Sequence, residues 1–160
     1  MMAKDDSGFA ETITDAHLLA LYRYWLQKAG NRRMPARHDL DPVEMKPWLA
    51  NLVLVEFIGG NVEDYRVKLE GTNIEAYYAD RRTGHGIEML TSPTERDLMM
   101  AQYGAVLKHG QPAFYDAEFV NSSGKLSRQI KLLLPLSEDG AVVNLVLAGI
   151  YFRPPEGLGR

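Results

Sequence analysis

Two carboxylates in the C-terminal half of the chain are the first candidates for chemistry. Asp116 and Glu118 are two positions apart in residues 113–120, so a strand there would direct both side chains to one face. If that face lined a dry cavity, the pair could transfer protons, as in a small α+β isomerase or dehydratase. If the strand lay at a sheet edge, the same acids would face water and discourage pairing with another chain. The edge interpretation is the simpler one, and we therefore expect no enzymatic activity.

The sequence offers little for metal or nucleophile chemistry. It contains no cysteine, which excludes disulfides, thiolate nucleophiles and cysteine-based zinc or iron–sulfur sites. Its four histidines, at positions 17, 38, 85 and 109, lack the HxxxH and HExxH spacings of helical metal sites. We therefore predict no metal site.

Six side chains are candidates for the lining of a small-molecule pocket. They come from an alternating segment, the helical turns after it and a long helix, and they are Tyr65, Leu69, Ile74, Tyr78, Met99 and Tyr103. Aromatic and methionine side chains suit an apolar cavity with a few polar groups. Each of the six could equally fill the core. Arg66 and Arg128 are the obvious partners for a carboxylate or phosphate, although Arg66 alternates outward.

An apolar stripe near the N-terminus predicts an amphipathic helix over residues 15–29. The stripe has helical spacing and includes Leu18, Leu21, Tyr22, Trp25 and Leu26. Thr14 or Asp15 can cap its start, and Gly30 can end it. This stripe can pack on the sheet of its own chain or on the same helix of a second subunit.

Composition favours a single folded domain in the cytoplasm. The chain has 160 residues, 46% of them hydrophobic and 24% charged, with a net charge of −3. The densest basic stretch, residues 31–38, is a solvated connection in the first interpretation and an anion site in the second, and we expect no nucleic-acid binding. No run of 18 apolar residues predicts a membrane span, and the first residues lack the apolar core of a signal peptide.

The pattern of apolar residues predicts five strands interrupted once by helices. Residues 52–58 and 142–151 are apolar on both faces, residues 64–70 alternate, and residues 113–120 and 126–134 complete the set. The long helix opens on Ser92-Pro93-Thr94-Glu95, a full capping box with proline at the first helical position. Asp41 and Glu44 predict a further short helical turn.

These patterns also predict the arrangement of the sheet. The two segments that are apolar on both faces should be central and adjacent, and the alternating second segment suits an edge. We therefore predict an α+β fold with a five-stranded antiparallel sheet in the order 2-1-5-4-3. The helices between residues 73 and 109 should cover one face. The N-terminal helix or a second subunit should cover the other.

A set of short motifs occurs in one order along residues 15–152. They are YRYW at 22–25, MPARHDLDP at 34–42, WL at 48–49, YRVKLEGTNI at 65–74, TG at 83–84 and LPLSEDG at 134–140. In these motifs the chain resembles the PAS_5-type PAS domains of bacteria. The resemblance implies a PAS-like fold for residues 15–152, with residues 1–14 as a flexible leader and residues 153–160 as a tail.

The resemblance implies a sensory and interaction module, because PAS domains bind small ligands or dock with other signalling domains, and many dimerise. We accordingly expect a stand-alone module that binds a small-molecule ligand, or a sensor kinase or other signalling protein in trans, and that forms a homodimer. The sequence contains no kinase ATP motif, cyclase pattern or helix-turn-helix.

The resemblance also bears on cofactors. PAS photosensors that form a cysteinyl–flavin adduct, or that tether a chromophore through a thioester, need a thiol, and this sequence has none. We predict no cofactor, with noncovalent flavin and haem as the alternatives. A haem would use His85, before the long helix, or His109, although a histidine in the last turn of a helix is usually placed there by the helix dipole.

Overall fold

The computed structural model describes residues 8–78, 82–89, 92–120 and 124–154. These residues form three α-helices, which are α1 (Ala16–Ala29), α2 (Thr72–Tyr78) and α3 (Pro93–His109). They also form five strands, which are β1 (Leu52–Phe57), β2 (Tyr65–Glu70), β3 (Ala113–Val120), β4 (Leu126–Leu136) and β5 (Leu145–Arg153). No helix in these ranges is both long enough and apolar enough to cross a membrane.

The strands form one antiparallel sheet in the order β2-β1-β5-β4-β3, which confirms the predicted order. β1 and β5 lie side by side in its centre, with Val53 opposite Ala148. β5 begins three residues later than predicted because Asp139 holds the preceding turn. Its Oδ1 accepts hydrogen bonds from the amides of Ala141 and Val142, at 2.8 and 2.9 Å.

Helix α1 covers one face of the sheet, called here the outer face. Its start is capped by Asp15, whose side chain accepts a hydrogen bond from the Leu18 amide at 3.0 Å. Gly149 of β5 leaves room for the helix, since a Cβ there would lie 2.7 Å from Leu18 Cδ2 and 2.9 Å from Leu21 Cδ2. The helix therefore packs directly on the centre of the sheet.

The apolar stripe of α1 thus packs against the sheet of its own chain. Leu18, Leu21, Tyr22 and Trp25 are buried and Leu26 is half-buried. The indole Nε1 of Trp25 donates to the carbonyl of Pro135 in β4 at 2.9 Å. The stripe therefore packs on the sheet of its own chain, the first of the two predicted alternatives, because β4 and β5 are apolar on the outer face and need this cover themselves.

The segments around α1 differ from prediction in two places. Phe9, in the predicted leader, belongs to a 3₁₀ turn (Phe9–Thr12), and its ring packs edge-on against Tyr22 at 5.0 Å. The predicted helical turn at Asp41 is present, since the Met45 amide donates to the Asp41 carbonyl at 3.1 Å, but Glu44 does not cap it and instead pairs with Lys28 Nζ at 2.9 Å. The first residues of the leader, 1–7, and the end of the tail, 155–160, lie outside the described residues.

Helices α2 and α3 cover the opposite face, called here the inner face, and a short segment closes the sheet beside it. The Gly84 amide donates to the Val67 carbonyl at 2.7 Å, and the Val67 amide donates to the His85 carbonyl at 3.0 Å. The free side of β2 is therefore paired along this stretch.

Gly71, between β2 and α2, predicts a large effect of a small substitution. A Cβ there would lie 2.3 Å from the carbonyl oxygen of Leu49 and 2.4 Å from the carbonyl carbon of Ala50. Gly71→Ala should lower the free energy of unfolding by about 3 kcal/mol, the upper end of ordinary overpacking, because backbone must move. Gly104→Ala is the control, since that Cβ would meet nothing within 4 Å and the change should stabilise α3 by about 0.5–1 kcal/mol. Equal effects in urea unfolding would contradict the prediction.

Candidate functional site

A bulge in β2 decides which side chains face the inside of the molecule. Leu54 of β1 lies opposite Leu69, but the next residue, Val55, lies opposite Val67, so the pairing skips Lys68. Tyr65 and Val67 face inward before the bulge. After it the phase is reversed: Leu69 turns to the outer face and Glu70 to the inner face.

A cavity of about 30 Å³ lies between α3 and the inner face of the sheet. This is space for about one water molecule. Four of the six predicted pocket residues line it, namely Tyr65, Tyr78, Met99 and Tyr103. Ile74 is fully buried in the core outside the lining, and Leu69 is 55% exposed on the other side of the sheet. The inclusion of Leu69 is corrected, because the prediction assumed unbroken alternation along β2.

Glu70 and Arg82 form an ion pair beside the cavity. Arg82 Nε donates to Glu70 Oε2 at 2.7 Å, and the side chains are only 7% (Arg82) and 0% (Glu70) exposed. The guanidinium also lies over the ring of Tyr78, 3.7 Å from its centre. Stripping water from two such ions is costly, so a pair this deep needs its hydrogen bonds.

Lys131, in the middle of β4, is the second buried cation. Its Nζ donates to Gln102 Oε1 of α3 at 2.9 Å and lies 6.0 Å from the centre of the Tyr103 ring. Burial lowers the pKa of Lys131 to about 8, despite the opposing attraction of Glu95. The charged form of Lys131 is therefore less favoured in the folded chain than the charged form of an exposed lysine.

Glu95 is the most unusual group in the cavity lining. It is buried near the start of α3, yet neither carboxylate oxygen has a hydrogen-bond partner in the described part of the chain. Burial raises its pKa, while the charges of Arg82 and Lys131 act against that rise. The predicted capping box is only half present: Ser92 Oγ accepts from the Glu95 amide at 3.3 Å, but the carboxylate points into the cavity and not back to Ser92.

The low pKa of Lys131 predicts a pH dependence of stability. Folding penalises the charged amine, because its pKa is about 8 in the folded chain and 10.5 without burial. The penalty is complete below pH 8 and is relieved as pH rises, so the free energy of unfolding should increase from about pH 8 to about pH 10. Lys131→Met should remove this rise, whereas Lys46→Met, at an exposed lysine, should keep it. Urea unfolding at four pH values measures the slope, and an unchanged slope in Lys131→Met would refute the prediction.

The carboxylate pair considered for catalysis lies elsewhere. Asp116 faces the outer side of β3 and forms a two-point ion pair with Arg128, at 2.8 and 2.7 Å. Glu118 is exposed on the same face, opposite Arg128. This arrangement fits the wet edge strand, not an acid–base pair in a cavity.

The inner cavity, as the described residues form it, is too small for a large cofactor. Pockets for drug-sized ligands occupy about 300–1,000 Å³, far more than this cavity. His85 and His109, the candidates for haem, are both exposed and do not border it. Neither a flavin ring nor a haem fits the inner cavity in this arrangement. Within the described ranges, no three of the acidic and histidine side chains are grouped as metal ligands.

Sequence reasoning missed the four ionisable residues of the site, which are Glu70, Arg82, Glu95 and Lys131. Lys131 could have been noticed in the sequence, because it is the one charged residue of the otherwise apolar run 130–136. Arg82 lies in a loop without a pattern, and Glu95 matched a capping box.

Comparison with solved structures shows the same architecture at low sequence identity. The Rhodobacter sphaeroides LOV protein matches with a TM-score of 0.52 and 13% identity, over 72% of this chain and 69% of that chain. The PAS domain from Bordetella pertussis BvgS matches with a TM-score of 0.54 and 12% identity, over 71% and 84%. At such identities the likeness shows the fold alone.

Sequence comparison identifies the family. The search of curated proteins found no match. The family model PAS_5, described as a PAS domain, matches residues 13–151, which is most of the chain. This chain therefore belongs to the PAS domain family.

Proposed function

We propose that this PAS domain is a sensory module that binds a small hydrogen-bond-donating ligand, such as an amine, in the inner cavity. The observation that carries the proposal is the Glu95 carboxylate, buried against the cavity without a hydrogen-bond partner among the described residues. A buried acceptor left without a donor costs free energy. A donor supplied by a ligand would recover that cost.

The surrounding charges support this choice of ligand. Arg82 is already bound to Glu70, and Lys131 is already bound to Gln102. Among these charged groups, Glu95 is the acceptor whose hydrogen-bonding capacity is unused, and it accepts hydrogen bonds when ionised. Groups with displaced pKa values in a cavity are candidates for functional sites.

Native mass spectrometry of the full chain, purified without added ligand, tests the proposal. We expect a fraction of the protein to carry the added mass of a small molecule. In solution, methylammonium should shift the backbone amide resonances of Met99 and Tyr103, whereas acetate should not. Glu95→Gln should abolish both effects, because it removes the charge that attracts the amine.

Glu63→Gln is the matched control, because Glu63 is an exposed glutamate away from the cavity lining. It should behave like the wild type. If the wild type shows only the bare chain mass and methylammonium leaves the amide resonances in place, the inner cavity is not a ligand site and the proposal fails.

We propose further that the response passes in the cytoplasm to a sensor kinase or other signalling protein, and that the chain acts as a homodimer. Since the α1 stripe is buried on its own sheet, a dimer would use another surface. Sedimentation of the purified chain tests the dimer. Capture from cells tests the partner: recovery of a signalling kinase by the wild type, altered in Glu95→Gln, is expected, and recovery of no signalling protein would contradict it.

A further inference from the structure

A second and larger cavity, of about 210 Å³, lies on the outer face of the sheet. It lies between the segment that precedes β1 and the outer side chains of β1 and β5, and it is open to solvent on one side. Most of its lining is aliphatic or sulfur-containing, as in Leu40, Met45, Leu49, Leu52, Leu54 and Leu147. It is separated from the inner cavity by the sheet itself.

Apolar side chains at the border of this cavity are in contact with water. Leu69, turned outward by the bulge in β2, is 55% exposed, and Leu49 is 41% exposed. Both line the cavity, whereas Leu52 and Leu54 at its floor are buried. Exposed apolar groups around a concave apolar surface are typical of a binding site.

Arg37 gives the cavity a charged group. It lines the cavity and is half-buried, and no described residue forms a hydrogen bond or ion pair with its guanidinium. Its neighbours in the basic stretch are engaged: Arg32 pairs with Asp39 at 2.9 Å, and Arg33 donates to the His109 carbonyl at 3.1 Å.

No described acidic side chain in the lining competes for Arg37. Among the described residues, the one acidic side chain in the lining belongs to Glu70, and its carboxylate is bound to Arg82 on the inner side of the sheet. The cavity therefore combines an apolar floor with one uncompensated cation.

We propose that this outer cavity binds a small monocarboxylate with an apolar tail, such as a medium-chain fatty acid, with the carboxylate on Arg37. A guanidinium binds a carboxylate through two parallel hydrogen bonds, and the tail would cover the leucines. The volume lies below the 300–1,000 Å³ of drug-sized ligands, which favours a short chain. This proposal does not depend on the ligand of the inner cavity.

Calorimetric titration of the full chain with hexanoate, octanoate and dodecanoate tests the size of the site. Each CH₂ that enters the cavity should tighten binding about fourfold, so octanoate should bind at least about tenfold more tightly than hexanoate. Dodecanoate should gain little more, because its chain would extend beyond the cavity.

Two variants test the residues. Arg37→Gln should weaken octanoate binding by about tenfold to a hundredfold and leave octanol binding unchanged, because only the charged hydrogen bonds are lost. Arg23→Gln, at an exposed arginine of α1, is the matched control and should bind octanoate like the wild type. Leu69→Trp should reduce binding of both octanoate and octanol by filling the mouth, with circular dichroism showing an unchanged fold.

Two results would overturn the proposal: no binding of octanoate by the wild type, or equal binding by wild type and Arg37→Gln. If octanoate does not bind, sedimentation distinguishes an empty cavity from a dimer that Leu69→Asp dissociates. In the last case a second copy of the chain covers the cavity, and the exposed leucines are an interface.

Discussion

Replacing Arg82 with leucine is expected to lower the free energy of unfolding by about 3–5 kcal/mol. The change leaves the Glu70 carboxylate, which is 0% exposed, without its cation in the interior. The double variant Arg82→Leu/Glu70→Leu should recover much of this loss, because it removes both ions together. Urea unfolding of the wild type, both single variants and the double variant gives the coupling energy.

The pair Asp116–Arg128 is a control for this experiment. It is likewise an arginine–carboxylate pair at hydrogen-bond distance, but its side chains remain partly in water. Arg128→Leu should therefore cost no more than about 1 kcal/mol. Similar losses at the two sites would show that burial of Glu70 and Arg82 is not what makes their pair important.

Trp25→Ala is expected to cost about 3–5 kcal/mol, the range for loss of a large buried aromatic side chain. Trp25 is 3% exposed, stacks on Tyr22 at 6.1 Å and is the anchor of α1 on β4. Trp25→Phe should cost less than the alanine variant, because it keeps most of the packing and loses the hydrogen bond to Pro135.

Trp48 provides the readout for this change. It is the one other tryptophan of the chain, and its Nε1 donates to the carbonyl of His17, near the start of α1, at 2.9 Å. In Trp25→Ala the fluorescence of Trp48 should shift to the red as α1 loosens. An unchanged spectrum together with unchanged stability would show that α1 does not depend on this anchor.

The fold could be predicted because the apolar pattern of two segments determines the centre of the sheet. β1 and β5 are apolar on both faces, and such strands are stable only when they are central and covered on both sides. The alternation of Tyr65, Arg66 and Val67 likewise placed β2 at an edge. Burial patterns of this kind are local in sequence, so they can be recognised without coordinates.

The candidate site could be predicted only in part, because the orientation of its key side chains depends on structural features that leave no local pattern in the sequence. A one-residue bulge at Lys68 reverses the facing of Leu69 and Glu70. Glu95 has the position of a capping residue, but its carboxylate is drawn toward the cations of the cavity. Four of the six predicted lining residues lie before the bulge or on the inward side of a helix, where simple periodicity applies.

The pairing of Gly84 and His85 with Val67 makes the two margins of the sheet unequal. In the middle of β2 this segment occupies the amide and carbonyl of Val67, which another chain would otherwise bind, whereas β3 is hydrogen-bonded in the described residues only to β4. A molecule with a single open margin can join one neighbour by strand addition but cannot be extended from both sides. Edge-to-edge association of this domain would therefore stop at a closed pair with a continuous ten-stranded sheet, about twice the five strands of one copy, instead of growing into a filament.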